Sequence, residues 1–265
     1  MKLTFSKMQA LGNDFVVVNV CEAGNVLTPE NVQFIADRHF GVGCDQLLAL
    51  APASVPKADF DYWIFNADGG RVYQCGNGAR ALAHYVFDRG LVQGDTVSFY
   101  TGRDRLTLHN EGDGQYRLVL PSANECVIPY HVNIGEQTLE GSFIDIGNPH
   151  YVMFVEDIHA KGHVEIARLL QAHQQFPHSV NVGFACVRNR TQIDLRVFER
   201  GAGETLACGS GAIACALAAF EQNLVDERVD IQQAGGRLSV DCSQSQDALY
   251  LTGPASFVFE GTLSL

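Results

Sequence analysis

Basic residues are scarce in this chain: 18 lysines and arginines stand against 30 acids, a formal net charge of −12 over 265 residues. A nucleic-acid binder presents a basic surface to phosphates, so nucleic acid is not expected as a partner. The same balance disfavours an anionic membrane surface. Long apolar runs are also missing. The longest, Ala212 to Phe220, has nine residues, where a membrane span needs about 20. The chain opens Met-Lys-Leu-Thr-Phe-Ser-Lys with no apolar stretch behind it. No signal peptide and no membrane association are expected; a cytoplasmic location with reduced thiols is. The eight cysteines contain no Cys-x-x-Cys pair and their spacings are wide, which speaks against a zinc site or a disulfide framework. There is no lysine motif of a pyridoxal-phosphate enzyme, no dinucleotide fingerprint and no Walker loop, Gly41-Val42-Gly43 being too short to count. No cofactor and no metal are therefore expected. What is present is ordinary globular composition, 46% hydrophobic and 18% charged, with enough chain for one large domain or two small ones.

The element pattern is mixed. Phe15 to Val20 reads as a strand, and Pro29 to Asp37 as a helix with Thr28 at the N-cap and Pro29 at the first helical position. Asp61 to Asn66 reads as a strand closing at the turn Asn66-Ala67-Asp68-Gly69-Gly70. Gly76-Asn77-Gly78 opens a helix to about Arg89, with Ala79, Leu82, Ala83 and Val86 at helical spacing. Thr96 to Val119 reads as strands and turns, Phe143 to Ile146 as a strand and Ala160 to Ala172 as a helix. Thr191 to Glu199 alternates as a strand. A second glycine-started helix follows Cys208; it is apolar nearly all round, which predicts burial.

These elements repeat. Gly12-Asn13 recurs as Gly147-Asn148 and Gln46 as Asn181, both at an offset of 135. Cys75-Gly76-Asn77-Gly78-Ala79 recurs as Cys208-Gly209-Ser210-Gly211-Ala212 at an offset of 133. Nine residues before each of these cysteines a polar residue closes a strand: Asn66 and Glu199. The pattern predicts two half-domains of similar fold, each mostly sheet around one helix that begins Cys-Gly-x-Gly.

A helix N-terminus carries unpaired N–H groups and a partial positive charge. It lowers the pKa of a nearby thiol and binds carboxylates, and glycine lets a ligand approach the backbone. If the halves face each other, two cysteines flank one cleft and two helix ends grip one carboxylate. That arrangement suits inversion at the carbon beside a carboxylate. One thiolate takes the α-proton, the opposite thiol supplies one to the other face, and the two exchange roles in the reverse direction. The helix ends stabilise the enolate-like charge as it develops, and closure of the halves to exclude water is expected.

At these residues the chain resembles the diaminopimelate epimerase family, over essentially its whole length. The motifs are Leu11-Gly12-Asn13-Asp14-Phe15, Gly41-Val42-Gly43-Cys44-Asp45-Gln46, Asn66-Ala67-Asp68-Gly69 and Cys75-Gly76-Asn77-Gly78-Ala79-Arg80. Then follow Gly147-Asn148-Pro149-His150, Asn181-Val182, Glu199-Arg200-Gly201-Ala202-Gly203-Glu204-Thr205 and Ala207-Cys208-Gly209-Ser210-Gly211. The resemblance implies an α/β (α+β) fold of two pseudo-symmetric halves, each a mainly antiparallel sheet wrapped round a central helix, with the active site in the cleft between them. The halves would be 1–116 and 117–265, with the last strand, about 253–265, returning to the first. It implies cofactor-independent conversion of LL- to meso-diaminopimelate in lysine and peptidoglycan precursor synthesis, and a homodimer. Cys75 and Cys208 match the base and acid pair. Gly76, Asn77, Gly209 and Ser210 match backbone groups on the reacting carboxylate. Asn13, Asn66, Asn148, Asn181 and Arg200 match substrate-binding positions, Gln46 lines the cleft, and Glu199 and His150 stand beside the thiols. Ser210 stands where threonine is more usual, and the hydroxyl is kept.

Single residues have other readings. Asn66 and Asn148 suit turns, and both roles are compatible. His150 fits a packed histidine as well as a catalytic neighbour, and Arg200 fits a solvated turn as well as a carboxylate clamp. Cys44 and Cys215 read as packing, and Cys21, Cys126, Cys186 and Cys242 as core. Two other functions are consistent with paired thiols: a racemase or isomerase of the same fold acting on a proline-type amino acid, and a non-catalytic dithiol binding or redox protein.

Overall fold

The computed structural model describes residues 2–23, 27–121, 127–243 and 248–265. The chain divides into two compact units, Met1–Val119 with Thr252–Leu265, and Leu120–Leu251. Cys126, read above as core, lies outside the described residues.

The first unit contains β1 (Lys2–Ala10), β2 (Asn13–Asn19), α1 (Val20–Ala23), α2 (Pro29–Ala36), β3 (Gln46–Pro52) and β4 (Phe60–Asn66). It continues through β5 (Arg71–Val72), α3 (Gly76–Asp88), β6 (Thr96–Tyr100), β7 (Arg105–Gly112) and β8 (Gln115–Pro121). The second holds β9 (Val127–Ile134), β10 (Gln137–Asp145), β11 (Pro149–Phe154), α4 (His163–Gln171), β12 (Asn181–Asn189) and β13 (Gln192–Glu199). After these come β14 (Gly203–Thr205), α5 (Gly209–Glu221), β15 (Arg228–Gln233), β16 (Gly236–Asp241) and β17 (Ala248–Pro254). The last strand, β18 (Ser256–Ser264), pairs antiparallel with β1 in the first unit.

The two units repeat one topology. In the first, β1 and β2 are antiparallel, β2 and β3 parallel, β3 and β4 antiparallel, β4 and β5 antiparallel, and β4 and β6 parallel. In the second, β10 to β15 follow the same sequence of directions. The register repeats as well. Phe15 lies opposite Gln46 on β2 and β3, and His150 opposite Asn181 on β11 and β12. The parallel pairs are closed by α2 and α3 in the first unit and by α4 and α5 in the second, as a crossover requires. Each unit is thus a mainly antiparallel sheet with a 13-residue helix, α3 or α5, against it. No helix of the described residues is long and apolar enough to cross a membrane.

Strands covered on both faces read as continuous apolar runs rather than alternating ones. Val16, Val18, Leu47 and Ala49 pack on Val32 and Ile35 of α2. Their alternates Phe15, Val17, Leu48 and Leu50 are equally buried and face the α3 side by the pleat. The second unit builds the same layer from Tyr151, Met153, Val182 and Phe184 on Ala167 and Leu170 of α4.

Local chemistry sets the element ends. Thr28 Oγ1 accepts the Asn31 N–H at 3.3 Å and Pro29 opens α2. The Ala160–Ala172 segment begins its helix only at His163, because Gly162 sits at φ +110° and serves as N-cap. Cys21 departs from its core reading: the chain leaves β2 for the one-turn α1, and the side chain is exposed. Cys44, Cys186, Cys215 and Cys242 are buried as expected.

Candidate functional site

Each long helix starts at a cysteine. Cys75 is extended (φ −159°, ψ 98°) and its Sγ accepts the Gly78 N–H at 3.2 Å. Cys208 is extended (φ −125°, ψ 116°) and its Sγ accepts the Gly211 N–H at 3.3 Å. Sulfur thus takes the place usually held by a serine or aspartate oxygen at an N-cap. This fixes each sulfur at the positive end of its helix, beside the first-turn N–H groups of Gly76 and Asn77 or of Gly209 and Ser210. Glycine at the third position is needed in the first unit, where an added Cβ at Gly78 would stand 2.2 Å from Tyr62 Oη.

The polar residues of the first unit form a directed chain of amides. Arg80 Nη2 donates to Asn77 Oδ1 at 2.8 Å, and Asn77 Nδ2 to Asn13 Oδ1 at 3.3 Å. Asn13 Nδ2 donates to Asp45 Oδ2 at 2.9 Å, and Asp45 Oδ1 accepts from Arg38 at 2.7 Å. A cation at one end and a carboxylate at the other leave each amide one orientation. Asn13 follows Gly12 at φ +87°, a left-handed turn that glycine adopts without penalty; Gly147 before Asn148 does the same at φ +96°. Asp14, next to Asn13, is held by Lys7 and Arg38. Burial alone would raise its carboxyl, but the hydrogen bonds and charges of Arg38 and Lys7 outweigh that and hold it well below the usual carboxylate range. On the adjoining strands Gln46 Nε2 donates to Asn66 Oδ1 at 3.0 Å, while Gln46 Oε1 is buried with no partner.

In the second unit Ser210, Asn148, Gln233 and Glu199 are set about Cys208. Asn148 Nδ2 donates to Ser210 Oγ at 3.2 Å, and Ser210 Oγ lies 3.5 Å from Cys208 Sγ. The Cys208 N–H is held by Gln233 Oε1 at 2.9 Å. Glu199 is fixed by Thr205 Oγ1 at 2.6 Å. Asn181 donates to the Pro149 carbonyl and accepts the Arg200 N–H at 2.9 Å, linking β11, β12 and the end of β13. The exposed Arg200 donates through Nη1 to the His178 carbonyl at 3.0 Å. His150 is buried on β11 with Nε2 unpartnered, and burial pushes its imidazole down to about 4, so the ring is neutral at pH 7.

One expectation needs correction. The helix start does not make Cys208 acidic. Burial first, then the charge of Glu199, pushes its thiol up to about 12; the hydrogen bonds from Ser210 and Gly211 pull the other way and lose. A buried thiolate must be desolvated, and two hydrogen bonds do not replace its water.

All fourteen residues singled out from sequence lie among the described residues, six in the first unit and eight in the second. Sequence reasoning gave no separate role to Tyr62, Arg80, Asp45, Arg38, Thr205 or Gln233, although Asp45, Arg80 and Thr205 stand within its motifs. Tyr62 and Asn66 share a face of β4, Asp45 adjoins Gln46, and Arg80 closes the Cys75 motif, so neighbourhood in sequence was available as a signal. Gln233 lies 25 residues from Cys208 and carries none.

Comparison with known proteins agrees with the motifs. The family profile described as diaminopimelate epimerase matches residues 5–120 and 142–258. A diaminopimelate epimerase of Nitrosomonas eutropha is 42% identical, covering all of both chains. One of Acidovorax ebreus is 39% identical, covering all of this chain and 99% of that one. Among solved structures, a phenazine biosynthesis protein of the PhzF family from Bacillus anthracis superposes with a TM-score of 0.73 at 16% identity over the whole of both chains. A hydroxyproline epimerase from Agrobacterium vitis has a TM-score of 0.73 at 14% identity, covering this chain fully and 93% of its own. These distant structures share the fold. With the profile spanning most of the sequence and full-length relatives near 40% identity, the chain belongs to the diaminopimelate epimerase family.

Proposed function

We propose that this protein interconverts LL- and meso-diaminopimelate without a cofactor, with Cys75 and Cys208 as the acid and base. The observation that carries the reading is the pair of matched helix starts, each capped by a cysteine sulfur. In the forward direction a thiolate on one cysteine takes the α-proton and becomes a thiol. The thiol of the other gives its proton to the opposite face of the carbon and becomes a thiolate. The substrate is inverted and the enzyme holds the mirror distribution of one proton. The reacting carboxylate sits on the N–H groups of Gly76, Asn77, Gly209 and Ser210, which also meet the negative charge that grows on it as the proton leaves. Ser210, held by Asn148, hydrogen-bonds the Cys208 sulfur and keeps it oriented.

The far end of the substrate is a second amino acid. Arg200 suits its carboxylate and the amides of Asn13, Asn66, Asn148 and Asn181 its remaining polar groups, with Gln46 adding the acceptor Oε1 that has no partner of its own. Glu199, fixed by Thr205, keeps Cys208 protonated until the reaction calls on it. The neutral His150 acts as a hydrogen-bonding neighbour rather than as a cation. We further propose a cytoplasmic homodimer.

The test is to incubate reduced protein with LL-diaminopimelate in heavy water and follow the α-proton by NMR, resolving the meso isomer by chromatography. Deuterium incorporation with formation of the meso form is expected. Replacing Cys75 or Cys208 with alanine should slow turnover by about a thousandfold or more, the scale of losing a positioned acid or base. Full activity in a folded Cys75→Ala protein would sink the reading.

A further inference from the structure

We infer that Arg80 is a positioning residue of the reaction proposed above: a buried cation at the start of α3 that favours the ionised form of Cys75 and has no counterpart in the second unit. The inference rests on that reading for its purpose, but not for its observations. Arg80 is fully buried. Its guanidinium turns back along the first helical turn, where Nη2 donates to Asn77 Oδ1 at 2.8 Å and Nη1 lies 3.5 Å from the Gly76 carbonyl. Its Nε is buried with no partner. No carboxylate pairs with it among the described residues.

A guanidinium stripped of water and left without an anion carries a large penalty. Helix packing does not demand it. At the 133-residue offset the second unit carries Ile213, buried on the same turn of α5, and Leu195 in place of Tyr62. An apolar side chain therefore fills this position in the same topology. What distinguishes the first unit is the company kept by its cysteine. Burial draws the Arg80 guanidinium down to about 10, and the ionisable neighbour that works against this is Cys75. Tyr62, the other buried polar group there, donates to the Cys75 carbonyl at 3.4 Å. In the second unit the charged neighbour is instead the Glu199 carboxylate, which opposes ionisation of Cys208. The two halves are thus alike in backbone and opposite in electrostatics. Cation beside one thiol and anion beside the other leave the resting protein with its single negative charge on Cys75. A symmetric pair would divide the molecules between two resting forms, only one of which suits a given isomer of the substrate.

The test measures thiol reactivity rather than turnover. Wild type, Arg80→Met and Arg80→Lys are alkylated with iodoacetamide, an uncharged reagent, across pH 5 to 10, and the modification of Cys75 is read by peptide mass spectrometry. In wild type the midpoint of the Cys75 profile should fall below that of free cysteine in the same buffer. In Arg80→Met, shown folded by circular dichroism, Cys75 should react about tenfold more slowly at pH 7 with its midpoint moved up, and Arg80→Lys should restore most of the rate. Loss of packing alone would not move the midpoint or be rescued by lysine. An unchanged profile in folded Arg80→Met overturns the inference. So does a wild-type midpoint at or above that of free cysteine, which needs no variant to fold. Epimerisation is assayed in parallel. A protein that fails to epimerise but shows the Arg80-dependent profile loses the proposed function and keeps this inference; the reverse pattern does the opposite.

Discussion

An imidazole buried on β11 with no partner for Nε2 stays neutral where an exposed histidine begins to charge. Burial holds His150 at about 4 in the folded chain, against about 6.5 when unfolded. Between those values the unfolded chain binds the extra proton. Stability is therefore full above about pH 6.5 and falls as pH drops toward 4, by at most about 1.4 kcal/mol per pH unit from this group. Asp14 acts in the same direction lower down. Its folded carboxyl lies below the unfolded value of about 3.9, so its contribution is present above that pH and lost below it. Urea unfolding of wild type and His150→Gln at pH 7 and pH 5 checks the first part. The wild type should lose more stability over this interval than the variant. Equal losses would mean that the folded His150 takes up its proton in this window as readily as the unfolded chain does.

At the scale of elements, the two helix starts look interchangeable in sequence and are not. Gly78 and Gly211 occupy the same place three residues after a cysteine. A methyl at Gly78 meets Tyr62 Oη at 2.2 Å, whereas one at Gly211 meets Val197 Cγ2 at 3.1 Å. Tyr62 is buried between β4 and the helix start and has nowhere to retreat. Gly78→Ala should therefore destabilise by about 1–3 kcal/mol, the range for overpacking a core, and Gly211→Ala by less. Thermal melts of the two variants decide; a larger loss in Gly211→Ala would contradict the account. The contrast marks how far sequence reading reached. Gly-x-Gly after cysteine, the 133-residue offset and the polar closers Asn66 and Glu199 were enough to locate both helices, both thiols and their flanking amides. They carried no information on what lies across the sheet. Tyr62 against Gly78 and Gln233 under the Cys208 N–H are contacts between separate elements. The upward push on Cys208 comes chiefly from burial, a property of the packed unit, so local helix-end reasoning gave its sign wrongly. Cys21 failed for the complementary reason, since a one-turn helix after β2 carried it out of the strand's alternation.

At the scale of the whole chain, the second unit is inserted into the first. Leu120–Leu251 is one continuous segment, while the first unit needs both Met1–Val119 and Thr252–Leu265. The returning segment is firmly bound. Strand β18 pairs along β1 from Lys2 opposite Ser264 to Gln9 opposite Ser256, and Leu263 and Leu265 pack on the core beneath α2. Phe259 meets Phe5 edge to face, His84 Nδ1 lies 2.7 Å from the Ala255 carbonyl, and Arg89 pairs with Glu260. A chain ending at residue 255 would leave β1 as a bare edge and uncover the apolar side of that core, while every pairing among β9 to β16 remains. Limited proteolysis of this truncated chain should then digest the first unit and leave a resistant fragment of about residues 120–251, whereas the full chain resists throughout. Mass spectrometry of the digest distinguishes the outcomes. Cleavage spread evenly over both units would mean that the second cannot hold its fold alone, and protection of residues 2–119 would mean that β18 is dispensable to the first. The predicted pattern follows only if the last ten residues complete a unit whose other strands were synthesised more than 130 residues earlier.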